Sequence, residues 1–323
     1  MGALGKVLLT GANGFVGRAT LEELRARGCD VVALHRSAPP ADWTADPGIL
    51  PVRADLSDTD CVASLVDALS GVVAVIHAAA AMSDDGARHA SDTVAGTRHL
   101  LSAMSRARVS RLVLVSSLAV YDPMSVALGG MFDEAVPVET PETARDGYVR
   151  GKLEQEALCR AAPGLTLGIL RPGIVYGPGR AWNAHIGVVF GPILLRIGIA
   201  GELPMVHVDH LARALADAAG KGTPMVVNIV DDDRPDRGRF LATFKASGWP
   251  RVVLPLPHQV LAAMGWLMAP LGACRPGLLK ASVLRWRMAP YSYANAGLHD
   301  TLGFTQSATF ETLMQHALTE KTP

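Results

Sequence analysis

Tyr148 and Lys152 stand four residues apart in GYVRGKLEQEALCR. On a helix that spacing turns a phenol and an ammonium into one cleft. A phenol with its ordinary pKa of about 10 is a poor base at neutral pH, whereas positive charge nearby lowers that value and makes it a usable proton shuttle. Pro141 and Gly147 bound the start of such a helix, and Glu154 to Arg160 continue it. The same spacing also arises from a half-buried ring and a solvated charge on an ordinary amphipathic helix. The pair therefore takes its meaning from what surrounds it.

The elements that would position it begin at the N-terminus, where Val7 to Gly17, VLLTGANGFVG, reads as a buried strand running into a glycine-rich turn. Ala19 to Arg27 then carries helical spacing, with Leu21 and Leu24 on one face. Without β-carbons, Gly11 and Gly14 let the backbone turn sharply and approach a pyrophosphate, held by unpaired amides at the positive end of the helix dipole. Gly17 lets helix and strand pack closely. The spacing is GxxGxxG and not the commoner GxGxxG of dinucleotide sites, so a purely structural glycine loop is the alternative.

Strands at Lys6 to Thr10, Val31 to His35, Pro51 to Ala54, Ala74 to Ala78 and Arg111 to Ser116 alternate with helices at Ala19 to Arg27, Asp58 to Leu69 and Asp92 to Arg106. The pattern predicts an α/β fold, a doubly wound parallel sheet whose ligands gather at the strands' carboxyl ends. His35 and Arg36 follow the second strand, where an NAD enzyme usually places a carboxylate for the ribose hydroxyls. A guanidinium there suits a 2′-phosphate, so the expected cofactor is NADP, with NAD as the lesser choice. The plain alternative is a solvated arginine. Asp55, after the third strand, either accepts from an adenine amino group or caps the following helix. His77 and the run Ala78 to Ala81 follow the fourth strand. Val115 to Tyr121, VSSLAVY, ends the fifth, where side chains would emerge beside a nicotinamide.

Length and charge narrow the classes. With 323 residues and 30 basic against 30 acidic side chains, the chain has room for a large core and lacks the basic surplus of a nucleic-acid binder. Cys29, Cys61, Cys159 and Cys274 form no CxxC pair, which predicts neither a metal site nor a disulfide framework and fits a reducing cytoplasm. With the first strand expected from Lys6, no signal peptide is expected.

Taken in order, TGANGFVG, Asp55, VIHAAA, VSSLAVY, YVRGK, LRPGIVYGPG and VHVDHLARAL resemble the successive landmarks of the extended short-chain dehydrogenase/reductase superfamily, the fold family of the NAD-dependent epimerases and dehydratases. The resemblance runs along about the whole chain. It implies that Tyr148 is the acid/base, that Lys152 binds the nicotinamide ribose and lowers the tyrosine's pKa, and that Ser117 hydrogen-bonds the reacting oxygen. It further implies a Rossmann site in which Gly11, Asn13, Gly14, Phe15, Val16, Gly17, His35, Arg36, Asp55, Leu56, Ala78, Ala79, Ala80, Pro172 and Ile174 join Tyr148 and Lys152 in holding the cofactor. Homodimers are common in this family, formed through the YxxxK helix. Two positions depart from its pattern: Thr93 stands where NVxGT has asparagine, and Gly151 where serine or threonine often precedes the lysine.

Beyond Pro172 the chain turns rich in glycine and proline, as substrate clefts often are. We expect residues 1–172 with 205–231 to form the cofactor domain, and 173–204 with 232–323 a smaller substrate region. Pro255 to Ala273 is strongly apolar but broken by Pro257 and Pro270, and the uninterrupted part is too short for a membrane-spanning helix. It reads as a packed helix or an apolar substrate lid, with peripheral membrane contact as the lesser reading. The tail from Pro276 through Tyr291 to Phe304 resembles the 3β-hydroxysteroid dehydrogenase-like branch. Leu203 stands where nucleotide-sugar enzymes commonly place a diphosphate-binding arginine. The resulting expectation is reversible ketone/alcohol oxidoreduction on an apolar, steroid-like or long-chain small molecule. Two alternatives stay open: a nucleotide-sugar epimerase or dehydratase with tightly held NAD(P), and a non-catalytic NAD(P)-binding protein.

Overall fold

The computed structural model describes residues 4–81, 89–198, 200–274, 277–306 and 308–319. Pro276, where the tail resemblance begins, lies outside them. The first half runs β1 (Lys6–Thr10), α1 (Phe15–Ala26), β2 (Val31–His35), β3 (Ile49–Arg53), α2 (Cys61–Ala68), β4 (Val72–His77), α3 (Gly96–Ala107), β5 (Arg111–Val115), β6 (Met131–Phe132) and α4 (Gly147–Ala161). It continues through β7 (Thr166–Pro172), β8 (Ile174–Tyr176), β9 (Gly187–Phe190), β10 (Ile193–Ile197), β11 (Met205–His207), α5 (Val208–Lys221), β12 (Met225–Ile229) and α6 (Arg237–Phe244). Last come β13 (Val252–Leu256), α7 (His258–Leu267), α8 (Ala281–Met288), β14 (Ser292–Tyr293), α9 (Ala296–Leu302) and α10 (Phe310–Thr319).

Seven strands pair in the order β12-β7-β5-β4-β1-β2-β3, all parallel. Strands such as VVALH are buried along their whole length, as expected where helices cover both faces of a sheet. Leu21 and Leu24 of α1 and Leu211 and Leu215 of α5 join one core, and Leu65 of α2 with Leu100 and Met104 of α3 join the other. The chain reverses direction at β1 and β4. Their carboxyl ends therefore flank the crevice in which such sheets hold ligands.

The element boundaries differ from expectation at informative places. α1 starts at Phe15, four residues before Ala19, because Gly14 serves as its N-cap and the turn feeds the helix directly. α2 starts later than Asp58: Asp55 and Asp58 each accept a backbone N–H two residues on, which holds the entry in turns. The helix expected from Asp92 begins as wide π-type turns at His89 to Ala95 and becomes regular only at Gly96.

Beyond the sheet, Tyr176, Leu203, Phe240 and Phe310 centre a second core. Asp231 ties this part together, accepting from the His207 backbone at 2.9 Å, pairing with His210 at 2.8 Å and meeting the Tyr176 hydroxyl at 3.3 Å. The VHVDH landmark is thus a structural clasp between β8, β11 and the end of β12.

Candidate active site

A cleft of about 730 Å³ opens over the carboxyl ends of the strands. Its walls include Gly11, Asn13, Gly14, Phe15, Val16, Gly17, His35, Arg36, Asp55, Leu56, Ala78, Ala79, Ala80, Ser117, Tyr148, Lys152, Pro172 and Ile174, so one cavity gathers the residues expected to hold the cofactor or to act in catalysis, whereas His77, Ala81, Thr93, Gly151 and Leu203 do not line it. Others were not legible beforehand: Arg145, His185, Val283, Trp286 and Arg287 also line it. No local spacing marks them, since only the fold brings Val283, Trp286 and Arg287 of α8 and the loop residues Arg145 and His185 to the same cleft.

The glycine turn has the shape of a phosphate cradle. Gly11 adopts φ 67°, and a β-carbon there would stand 2.9 Å from the Ala79 nitrogen. A β-carbon on Gly17 would fall 2.0 Å from the Gly11 carbonyl oxygen, so helix and turn touch through bare backbone. The N-terminus of α1 has no side-chain cap and no acidic residue in its first turn. Its amides and dipole are left to an anion, and these residues fit the dinucleotide that the motif implies.

The strand ends differ in how committed their side chains are. His35 is buried, with Nδ1 2.6 Å from the Ser37 carbonyl oxygen and its ring edge-on to Trp43. Arg36 is 60% exposed and pairs with Asp92 at 3.1 Å. Asp55 accepts from both the amide and the hydroxyl of Ser57, which hold its carboxyl below the usual range. Its turn-forming role is visible, and it still faces the cleft.

Ser117 closes β5 and caps a short turn by accepting from the Ala119 amide at 3.1 Å. Tyr148 sits in the first turn of α4, whose N-cap Asp146 accepts from the Val149 amide. Burial pushes the Tyr148 phenol above its ordinary pKa, and the Ser117 hydroxyl opposes the rise. The Lys152 ammonium donates to the Val115 carbonyl at 2.7 Å and the Gln155 side chain at 3.0 Å. Burial pushes that ammonium down to about 8, with Glu156 opposing.

Behind Lys152 runs a buried chain of polar groups. Gln155 donates to Thr97 at 2.9 Å, Thr97 lies 3.0 Å from His77 Nε2, His77 Nδ1 lies 2.7 Å from the Thr10 hydroxyl, and Thr10 accepts from the Ala79 amide. Burial and Lys152 push His77 down to about 3, so it is neutral and relays hydrogen bonds without charge. The chain links the lysine to the backbone beside the glycine turn. Thr93, the first departure from pattern, accepts from the Ala81 amide at 2.9 Å and so supports the same segment. Gly151, the second, makes room for a neighbour: a β-carbon there would meet His89 Nδ1 at 3.0 Å, and that ring packs edge-on to Tyr148.

Fold and cleft together define a nucleotide-binding α/β enzyme of the Rossmann kind. The chain belongs to the NAD dependent epimerase/dehydratase family, which it matches over residues 7–229. It is 30% identical over 284 residues to 3-diazoavenalumate denitrifying reductase from Streptomyces sp, covering 81% of this chain and 88% of that one. With 3 beta-hydroxysteroid dehydrogenase/Delta 5-->4-isomerase of Mycobacterium tuberculosis (strain ATCC 25618 / H37Rv) it shares 28% identity over 288 residues, 81% of this chain and 75% of the other. The solved structure of MoeE5 in complex with UDP-glucose and NAD superposes with a TM-score of 0.71 over 97% of each chain at 23% identity, a likeness of fold. The protein is an NAD(P)-dependent oxidoreductase.

Proposed function

We propose that the protein interconverts a ketone and a secondary alcohol on a largely apolar small molecule and prefers NADP(H) to NAD(H). The observation that carries this reading is the convergence of Ser117, Tyr148 and Lys152 on one cleft that Val283 and Trp286 also line. In the reductive direction Tyr148 gives the carbonyl oxygen its proton while Ser117 holds that oxygen as charge develops. Lys152, fixed on Val115 and Gln155, places positive charge on the same side of the cleft. The cofactor supplies the hydride. Residues 1–172 with 205–231 serve the cofactor and 173–204 with 232–323 the substrate in this reading. The reductase and dehydrogenase relatives support it.

Arg36 supports the cofactor preference. Its exposed pairing with Asp92 is worth about 0–1 kcal/mol, less than a bidentate contact with a 2′-phosphate, so the guanidinium can change partners. NADPH should bind more tightly than NADH in fluorescence titrations, and Arg36→Ala should erase most of the difference. Equal binding of the two by the wild type overturns the preference. Tyr148→Phe should keep cofactor binding and lose turnover by about a hundredfold or more. A loss under about tenfold removes Tyr148 as proton donor.

Arg180 and Arg287 on the cleft wall favour one other reading, a nucleotide-sugar epimerase or dehydratase whose diphosphate they would meet. Leu203 leaves that question to them, because its side chain is buried in the second core. Competition by uridine or thymidine diphosphate, with no turnover of apolar ketones, would establish that alternative.

A further inference from the structure

The apolar run of α7, expected to cover the substrate, does not line the cleft. Trp266 is 80% and Leu267 72% exposed, with Val260 and Met264 also open, and none of them reaches it. No helix among the described residues is long and apolar enough to cross a membrane. The part of the last third that does reach the cleft is α8, through Val283, Trp286 and Arg287, and His185 joins it from the segment between β8 and β9.

A series of contacts ties these residues to the reacting groups. Arg145, shortly before Tyr148 in the chain, donates to the carbonyls of Ala119 and Tyr121, which follow Ser117, and its guanidinium lies 4.9 Å from the centre of the Trp286 ring. The His185 ring is edge-on to the same tryptophan, with centres 6.4 Å apart. Buried Arg237 donates to the carbonyl oxygens of His185 at 3.1 Å, Ala200 at 2.8 Å and Arg287 at 2.6 Å. One guanidinium therefore holds the backbones of His185 and Arg287 together.

Most charges on the cleft wall are already engaged. Among the described residues its carboxylates are Asp55, held by Ser57, Asp92, paired with Arg36, and Asp146, which accepts from the Val149 amide. Of its cations, Arg145 pairs with Glu139, Lys152 is held by Val115 and Gln155, and Arg180 lies 5.1 Å over Phe15 at the glycine turn. Arg287 differs: its guanidinium has no hydrogen bond or ion pair among the described residues. Neither ring nitrogen of His185 is hydrogen-bonded there either, although Nε2 is buried. Burial and the charges of Arg287, Arg237 and Arg145 push that ring down to about 3, so it is neutral and offers one N–H. We propose that Arg287 and the His185 ring bind a carboxylate on the substrate, whose apolar body lies along Trp286 and Val283 and whose keto group reaches Ser117 and Tyr148. The site then selects an oxo acid, or the hydroxy acid in the reverse direction, over an uncharged ketone. This deepens the ketone/alcohol reading and rests on it for the position of the carbonyl. One guanidinium with one neutral donor matches the single charge and two oxygens of a carboxylate. Arg180 belongs instead with the phosphates expected at the glycine turn.

Calorimetric titration tests the assignment, using the full chain loaded with oxidised NADP, with which a ketone cannot react. The probes are straight-chain oxo acids of graded length and the methyl ester of each. The best acid should bind about tenfold to a hundredfold more tightly than its ester, the worth of one charge-assisted pair. Arg287→Met should erase most of that preference, Arg287→Lys should keep part of it, and His185→Leu should lower it severalfold. The thermal midpoint and NADPH affinity should stay as in the wild type, because neither side chain is hydrogen-bonded to another residue. An acid that binds no better than its ester, or a preference that survives Arg287→Met, overturns the proposal. So does uridine diphosphate that binds more tightly than every acid and loses that advantage in Arg287→Met, which would make the anion a phosphate. Turnover followed by NADPH absorbance separates this proposal from the reading beneath it. Acids and esters reduced equally well would leave the ketone reading standing and sink the carboxylate site. Acids held through Arg287, with no NADPH oxidation on any ketone, would keep the carboxylate site and remove the ketone reading.

Discussion

Lys152 shows how much of a site one side chain can carry and how little of it spacing reveals. The separation from Tyr148 is enough to place both on one face of α4, and so the pair was legible. Its setting was not: Gln155, Thr97, His77 and Thr10 come from four separate elements, and only the folded sheet brings them into line. The burial that this chain completes is what lowers the ammonium to about 8. Below that value the folded and unfolded chains both hold the proton. Between about 8 and the ordinary lysine range only the unfolded chain holds it, so this group makes the fold more stable as pH rises through that window. Urea unfolding of the wild type and of Lys152→Met at about pH 7 and about pH 10 should show the wild type gaining on the variant at the higher pH. A difference that stays constant would mean that Lys152 titrates at its ordinary value.

At the scale of elements, the glycine turn and YxxxK helix were legible because their requirements are local: a backbone shape in one case, a helical period in the other. The start of α1 was displaced because helical periodicity cannot be seen through glycines, although Gly14 is where the helix begins. The second anchor of α4 was hidden for another reason. Burial alone would raise the Glu156 carboxyl, but Arg171 on β7 and the Ser116 hydroxyl more than offset it and hold the group below its usual range. That pair fixes α4 against the sheet, and removing either partner would strand a buried charge. The contact of α1 is simpler to probe. Gly17→Ala sets a methyl 2.0 Å from the Gly11 carbonyl oxygen, so the turn must shift. The variant should lose about 1–3 kcal/mol of stability, as overpacked sites do, together with most cofactor affinity. Full affinity in a titration of Gly17→Ala would show that the close approach of α1 is unrelated to the cradle.

Across the whole molecule, the sequence separates a regular first half from a glycine- and proline-rich remainder, whereas the folded chain interleaves them. α8 lines the cleft through Val283, Trp286 and Arg287, while the more hydrophobic α7 before it leaves Trp266 and Leu267 exposed. Hydrophobicity alone could not tell the two apart, because it reports that a surface must be covered and not by what. α9 returns further still: Leu298 and Leu302, with Phe304, pack into the same core as β1, β12 and α5. The last third is therefore fastened into the sheet that binds the cofactor, and the two parts should unfold together. Leu298 is fully buried and does not line the cleft, which makes it the position to test. Leu298→Ala should cost about 2–5 kcal/mol, the usual range for an aliphatic truncation in a core, and leave turnover of the folded fraction nearly unchanged. Far-UV circular dichroism should report loss of structure at the same urea concentration at which bound NADPH fluorescence is lost, in the variant as in the wild type. If the variant instead unfolds in two steps, with the nucleotide retained through the first, α9 belongs to a separately stable unit and the interleaving is not cooperative.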